Sequence, residues 1–222
     1  LYLELADNHP RVRGVVGWAS LLSGERTAAD LEGLRGPGFQ KLVGIRNNHG
    51  WAPDGEILAT SAVFDSCRLL AERGLTLDLH FQDQRELPLA IKIADQFPDL
   101  VLVINHMGKP LIAEEGFFEP WKEAIGTLAQ YPNIYLKYSG WATFLGEARA
   151  GTIKPYIEYA LNEFGANRVM FASNWPVALV ADSYENTYRA SINALPGLSQ
   201  EELQALFRDT ALRCYSMPER HN

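Results

Sequence analysis

The chain has 222 residues, 47% of them hydrophobic and 21% charged, a balance that excludes a disordered or collagen-like polypeptide and fits an ordinary globular fold. Lys and Arg number 20 against 27 Asp and Glu, and the formal charge of −7 lacks the positive footprint needed to hold nucleic-acid phosphates or anionic lipid, so a small-molecule partner is expected. No apolar run approaches the roughly 20 residues that span a bilayer, and Cys67 and Cys214 are too few for a disulfide framework, so a cytoplasmic protein is expected.

The opening Leu1-Tyr2-Leu3-Glu4-Leu5-Ala6 has neither an initiator Met nor a basic leader and reads as starting inside a helix. Short β-rich apolar runs then alternate with stretches whose apolar residues recur every three or four positions. Strands are predicted over residues 12–18, 39–46, 75–80, 100–105, 133–139 and 168–173. Between them, Cys67 lies in a helical stripe, and Leu87, Ile91, Ala94 and Phe97 form one helix face. Trp121, Ile125 and Leu128 form another, and Ile153, Ile157, Leu161 and Phe164 a third. Thr27 with Asp30, and Ser199 with Glu202, place a hydroxyl three residues before a carboxylate and predict helix starts.

Continuous apolar strands joined by helices predict a parallel α/β sheet. Arg46, His80, His106, Ser139 and Asn174 each fall at or just past the C-terminal end of a different strand, and a (β/α)₈ barrel of the TIM type brings such ends to one mouth, whereas an open sheet gathers them less completely. Eight strands are needed and six are counted, so the first two are expected upstream of Leu1. No linker or repeat interrupts the alternation, which predicts a single domain over residues 1–222.

The candidate chemistry sits at these strand ends. His106, in His106-Met107-Gly108-Lys109-Pro110, either ligates a metal, shuttles a proton, hydrogen-bonds a carbonyl oxygen or simply pins its loop. His80 is a second imidazole, a ligand or substrate contact against a loop support, and two histidines are suggestive of a shared metal but insufficient for zinc. Asn174, in Ser173-Asn174-Trp175-Pro176, hydrogen-bonds but takes no proton, and it either belongs with His106 to the catalytic centre or shapes the turn. Arg46, in Gly44-Ile45-Arg46-Asn47-Asn48-His49, suits an anionic or oxygen-rich substrate, against a structural pairing at the barrel rim. His49, Lys109, Tyr138, Trp141 and Trp175 are further pocket candidates, the aromatics against simple packing. There is no phosphate loop, GxSxG elbow, HExxH helix or dinucleotide GxGxxG, so kinase, serine hydrolase and Rossmann dehydrogenase readings lose support.

Several stretches together carry a family signature: Leu3-Glu4-Leu5-Ala6-Asp7 running into Gly14-Val15-Val16-Gly17-Trp18, then Gly44-Ile45-Arg46 and His106-Met107-Gly108-Lys109-Pro110. Tyr131-Pro132-Asn133 leading to Lys137-Tyr138-Ser139-Gly140, and Met170-Phe171-Ala172-Ser173-Asn174-Trp175-Pro176, complete it. Through these the chain resembles, over nearly its whole length, the lactonase-like branch of the amidohydrolase superfamily, which includes sugar-lactone hydrolases and the pyrone dicarboxylate lactonase. The resemblance implies a (β/α)₈ barrel that opens a lactone ring with water, with His106 contacting substrate. It also implies two upstream strands, the first carrying a His-x-His pair. At position 174 the family has the aspartate of a Ser-Asp-Trp-Pro motif as base, and in some members as a metal ligand, whereas this chain has Asn174.

The expectation is therefore a lactone hydrolase, acting on a sugar-derived or carboxylated lactone, whose turnover is impaired by Asn174. The alternatives are a related decarboxylase or hydratase, or a barrel that binds its ligand without turnover. No cofactor is assigned; a divalent metal such as zinc would fall to His80 and His106, and no tight metal is expected.

Overall fold

A computed structural model describes residues 1–47, 61–82 and 84–217. Its strands β1 (Val15–Gly17), β2 (Leu42–Asn47), β3 (Thr76–Leu79), β4 (Leu102–Ile104), β5 (Ile134–Tyr138) and β6 (Val169–Phe171) fall within the six expected runs or overrun them by one residue. They pair in chain order, and every pair is parallel. An open doubly wound sheet reverses its order at a switch point. This order never reverses, and the strands curl into a half-barrel, as a sheet on its way round a (β/α)₈ barrel must.

Helix α1 (Tyr2–Asn8) precedes β1, α2 (Gly24–Gly33) follows it, and α3 (Ser61–Glu72), α4 (Pro88–Gln96) and α5 (Phe118–Ala129) lead into β3, β4 and β5. After β5 come the short α6 (Trp141–Leu145) and α7 (Ala150–Phe164), and after β6 come α8 (Tyr184–Asn193) and α9 (Gln200–Gln204), which continues through a π turn into α10 (Thr210–Cys214). Their apolar stripes cover one face of the sheet. Cys67, Ile93, Trp121, Ile125, Ile153 and Ile157 are fully buried there against Ile45, Leu77, Leu79, Leu102, Ile104 and Leu136. No helix among the described residues is long and apolar enough to cross a membrane.

One capping expectation is corrected. Ser23, not Thr27, caps α2, accepting from the Arg26 amide at 3.2 Å. Thr27 lies a turn inside the helix, and its buried hydroxyl meets Ser20 O at 2.6 Å and Ser66 Oγ at 2.8 Å, tying α2 to α3. Ser199 and Glu202 form the reciprocal capping box expected of them.

Strand residues alternate between faces. With Ile45, Leu77, Leu79, Leu136 and Tyr138 turned to the helices, Arg46, Asp78 and Lys137 point to the concave side, where Val103, Met170, Cys214 and Tyr215 make a second, smaller core. Leu42 and Ile45 are three apart yet both join the helix-side core, because β1 pairs Val15 with Leu42 and Val16 with Gly44 and so leaves Val43 as an extra residue in β2. That bulge sets the inward direction of Arg46.

Candidate functional site

At the strand ends the polar groups form one line. Arg46, ending the inward row of β2, places Nη2 3.0 Å from His80 Nδ1, just past β3. The His80 ring meets the His106 ring edge-on, centroids 5.2 Å apart at 87°. His106, just past β4, holds Nδ1 2.9 Å from Ser139 Oγ, just past β5. Phe144 of α6 closes on the His106 ring at 6.0 Å, and the Lys109 ammonium lies over the Phe144 ring at 5.8 Å.

The backbone makes this possible at a cost. His106, Met107, Gly108 and Lys109 all have positive φ, at 55°, 56°, 71° and 49°, and Asn174 has 56°. Such values are uncommon outside glycine. Gly140 has φ +76°, and a Cβ there would stand 2.7 Å from His106 Nδ1, so only glycine leaves the imidazole its place.

Both histidines are neutral at physiological pH. Burial pulls His80 down to about 4, with the Lys109 ammonium and Arg46 guanidinium adding to the effect. Burial pulls His106 to about 3, helped by His80, Arg46, Lys137 and Lys109. A guanidinium has no acceptor, so His80 Nδ1 accepts from Arg46 and its single proton resides on Nε2. His80 thus offers a hydrogen-bond donor, the polarity that suits a carbonyl oxygen.

Beneath this line sits a charged cluster that no motif flagged. Asp78, 1% exposed, accepts from Lys137 Nζ at 2.5 Å, Asn105 Nδ2 at 3.3 Å and Tyr215 OH at 3.0 and 3.1 Å. Lys137 also stands over the Tyr215 ring at 5.4 Å, so the cluster ties β3, β4 and β5 to the turn after α10. The signal available in the sequence was a carboxylate inside the apolar run Leu77-Asp78-Leu79.

The other candidates are distributed as follows. Asn174 donates from Nδ2 to Thr143 Oγ1 at 3.2 Å. Tyr138 and Trp141 turn to the helix side, where the Tyr138 hydroxyl donates to Ser191 O at 3.0 Å and the Trp141 indole to Ser191 Oγ at 3.3 Å. Trp175 is 62% exposed. His49 lies outside the described residues. Both cysteines are buried free thiols, and burial pushes Cys67 up to about 12, which keeps it inert.

A divalent metal would need converging lone pairs. His80 presents Nε2–H, and the Arg46 and Lys109 cations beside it oppose a dication. No group of three or more His, Cys, Asp or Glu gathers among the described residues, so His80 and His106 by themselves do not fit a metal cage.

Comparison with known proteins places this geometry. The amidohydrolase family model matches residues 1–217. An L-fucono-1,5-lactonase of Burkholderia multivorans is 32% identical over 234 aligned residues, covering 98% of this chain and 76% of its own. The crystal structure of an amidohydrolase from Burkholderia multivorans with bound zinc superposes with a TM-score of 0.88 at 31% identity, over 98% of this chain and 78% of that one. A putative 2-pyrone-4,6-dicarboxylic acid hydrolase from Pseudomonas putida shares the fold, with a TM-score of 0.77 at 21% identity over 99% and 77% of the two chains.

Proposed function

The chain belongs to the amidohydrolase family, and from that membership we propose that it opens the ring of a lactone, sugar-derived or carboxylated, by attack of water on the carbonyl carbon. The name of the Burkholderia multivorans lactonase supports the substrate class. The observation that carries the reading is the line Arg46, His80, His106 at three successive strand ends, a row of neutral imidazoles backed by a guanidinium. Such fixed donors stabilise the negative charge that grows on a carbonyl oxygen as water adds. The ring C–O bond then breaks, the ring oxygen leaves as a hydroxyl, and the product is a hydroxy acid.

In this mechanism His106 contacts the substrate carbonyl, His80 donates through Nε2–H, Arg46 orients substrate oxygens, and Lys109, over the Phe144 ring, lines the pocket. His49 and Trp175 stay as proposed contacts of a larger substrate, whereas Tyr138 and Trp141, expected to line the pocket, are corrected to packing residues because both are buried on the helix side with their polar atoms held by Ser191. Position 174 would hold the base that takes the proton of water, and a carboxamide cannot accept it. The chain therefore binds its lactone and turns it over slowly. A divalent metal such as zinc, when bound, would supply a Lewis acid for the carbonyl, but His80 and His106 by themselves do not make its site. Residues 1–222 are proposed to act as one domain in the cytoplasm, in keeping with two buried free thiols.

The test is Asn174→Asp assayed by acid release over a panel of sugar and carboxylated lactones. Restoring a general base is expected to raise the rate about 10²–10⁴-fold. Equal hydrolysis by the two proteins overturns the role of position 174. Binding without hydrolysis in both favours a barrel that holds its ligand without turnover, the second reading that Asn174 itself supports. Absence of binding in both rejects the lactone.

A further inference from the structure

Thr187, on α8, is 8% exposed, and its Oγ1 is the one buried side-chain polar atom without a hydrogen-bond partner among the described residues. Its neighbours are satisfied: the Ser191 hydroxyl donates to Thr187 O at 2.8 Å and receives the Trp141 indole. A buried hydroxyl left unpaired bears its full desolvation penalty, whereas valine would fill the same shape without it. The threonine hydroxyl is thus left open to a partner from outside the described residues.

A cavity of about 10 Å³ lies against it, lined by Ser139, Thr143, Phe171, Asn174, Thr187 and Tyr188 among others. That space holds a single water-sized group. Ser139 Oγ is the partner of His106 Nδ1 at 2.9 Å and Gly140 abuts the same ring, so the cavity shares this wall with the strand-end site, while Asn174 and Thr143, bonded to one another, make another.

We propose that this cavity is a side pocket of the strand-end site that receives one hydroxyl of a polyhydroxylated lactone, with Thr187 Oγ1 as its hydrogen-bond partner. The proposal rests on the lactone reading above and narrows it toward the hydroxylated, sugar-derived class. Ser139, Thr143 and Asn174 give the entering oxygen polar neighbours, and because the Ser191 hydroxyl is already engaged, Thr187 Oγ1 is the buried hydroxyl left to pair with it.

Dissociation constants for a panel of hexono-1,5-lactones, with δ-valerolactone as the unhydroxylated ring, test this on the parent protein and on the Thr187→Val and Thr187→Ser variants. Thr187→Val is expected to weaken the best hexonolactone about tenfold, leave δ-valerolactone unchanged and leave the melting temperature level or raised. Thr187→Ser, which keeps the hydroxyl, is expected to bind as the parent does. Unchanged hexonolactone affinity in Thr187→Val overturns the side pocket, and a lowered melting temperature alongside it identifies a fixed structural water. A parent protein that binds no lactone overturns the lactone reading itself, and the side pocket with it.

Discussion

Replacing Lys137 with methionine removes the ammonium that donates to Asp78 Oδ2 at 2.5 Å and leaves a carboxylate that is 1% exposed facing only the neutral donors of Asn105 and Tyr215 among the described residues. Breaking a buried ion pair by removing one partner costs about 3–5 kcal/mol, because the remaining charge stays out of water. The two neutral donors and the 16% exposure of the Lys137 side chain put this case at the low end, about 3 kcal/mol. That is a large part of the roughly 5–15 kcal/mol that holds a domain folded. Asp78→Asn alone strands the lysine and is expected to cost a similar amount. The double variant removes both charges while keeping an acceptor for Tyr215, and should lose about 2 kcal/mol less than the sum of the singles. Urea unfolding followed by fluorescence of the five tryptophans measures all three. Single variants that each lose under about 1 kcal/mol and add without coupling would show a solvated pair and refute the reasoning.

Acid is expected to weaken the fold through the two histidines. Their folded pKa values, about 4 for His80 and about 3 for His106, lie below the unfolded value of 6.5, so the unfolded chain takes up protons first. Their contribution is intact above pH 6.5 and is lost as pH falls from there toward 4 and 3. At pH 5 the loss is about 2 kcal/mol for His106 and less for the more exposed His80. His106→Asn should shrink the drop in urea midpoint between pH 7.5 and pH 5, and an identical drop in the variant rejects this account. Gly140→Ala, with φ +76° and a Cβ 2.7 Å from His106 Nδ1, is expected to cost at least about 1–2 kcal/mol and to weaken lactone binding. A variant with parental melting temperature and affinity would show that the His106 ring can move aside freely.

Much of this architecture was legible because burial on both faces writes parallel strands as continuous apolar runs, and the last polar residue of each run marks the mouth. Arg46, His80, His106 and Ser139 were found that way and stand in one line. The Asp78 cluster was less legible, since Lys137 is 59 residues away and Tyr215 is 137. Only the fold brings them together. Tyr138 shows a different gap: a strand-end position does not say which face a side chain takes, and alternation from Lys137 turns Tyr138 to the helices. Thr27 has the spacing of a cap, yet Ser23 precedes the first helical residue and does the capping, because the turn after Ser20 lets the helix begin four residues earlier.

The strain at the site has an identifiable support. Positive φ at His106, Met107 and Lys109 costs of order 1–3 kcal/mol at each position and persists only where surroundings over-determine it. Here the Trp121 indole, fully buried on α5, donates to Met107 O at 2.8 Å, and the Lys109 amide closes onto His106 O at 2.9 Å. Gly140 clears the ring's place from the other side, and Ser139 fixes its Nδ1. The imidazole is therefore held from α5, from its own turn and from the end of β5 before any ligand arrives. Binding then need not order the turn, and the donors proposed to meet a carbonyl oxygen would act from fixed positions, where electrostatic stabilisation is most effective.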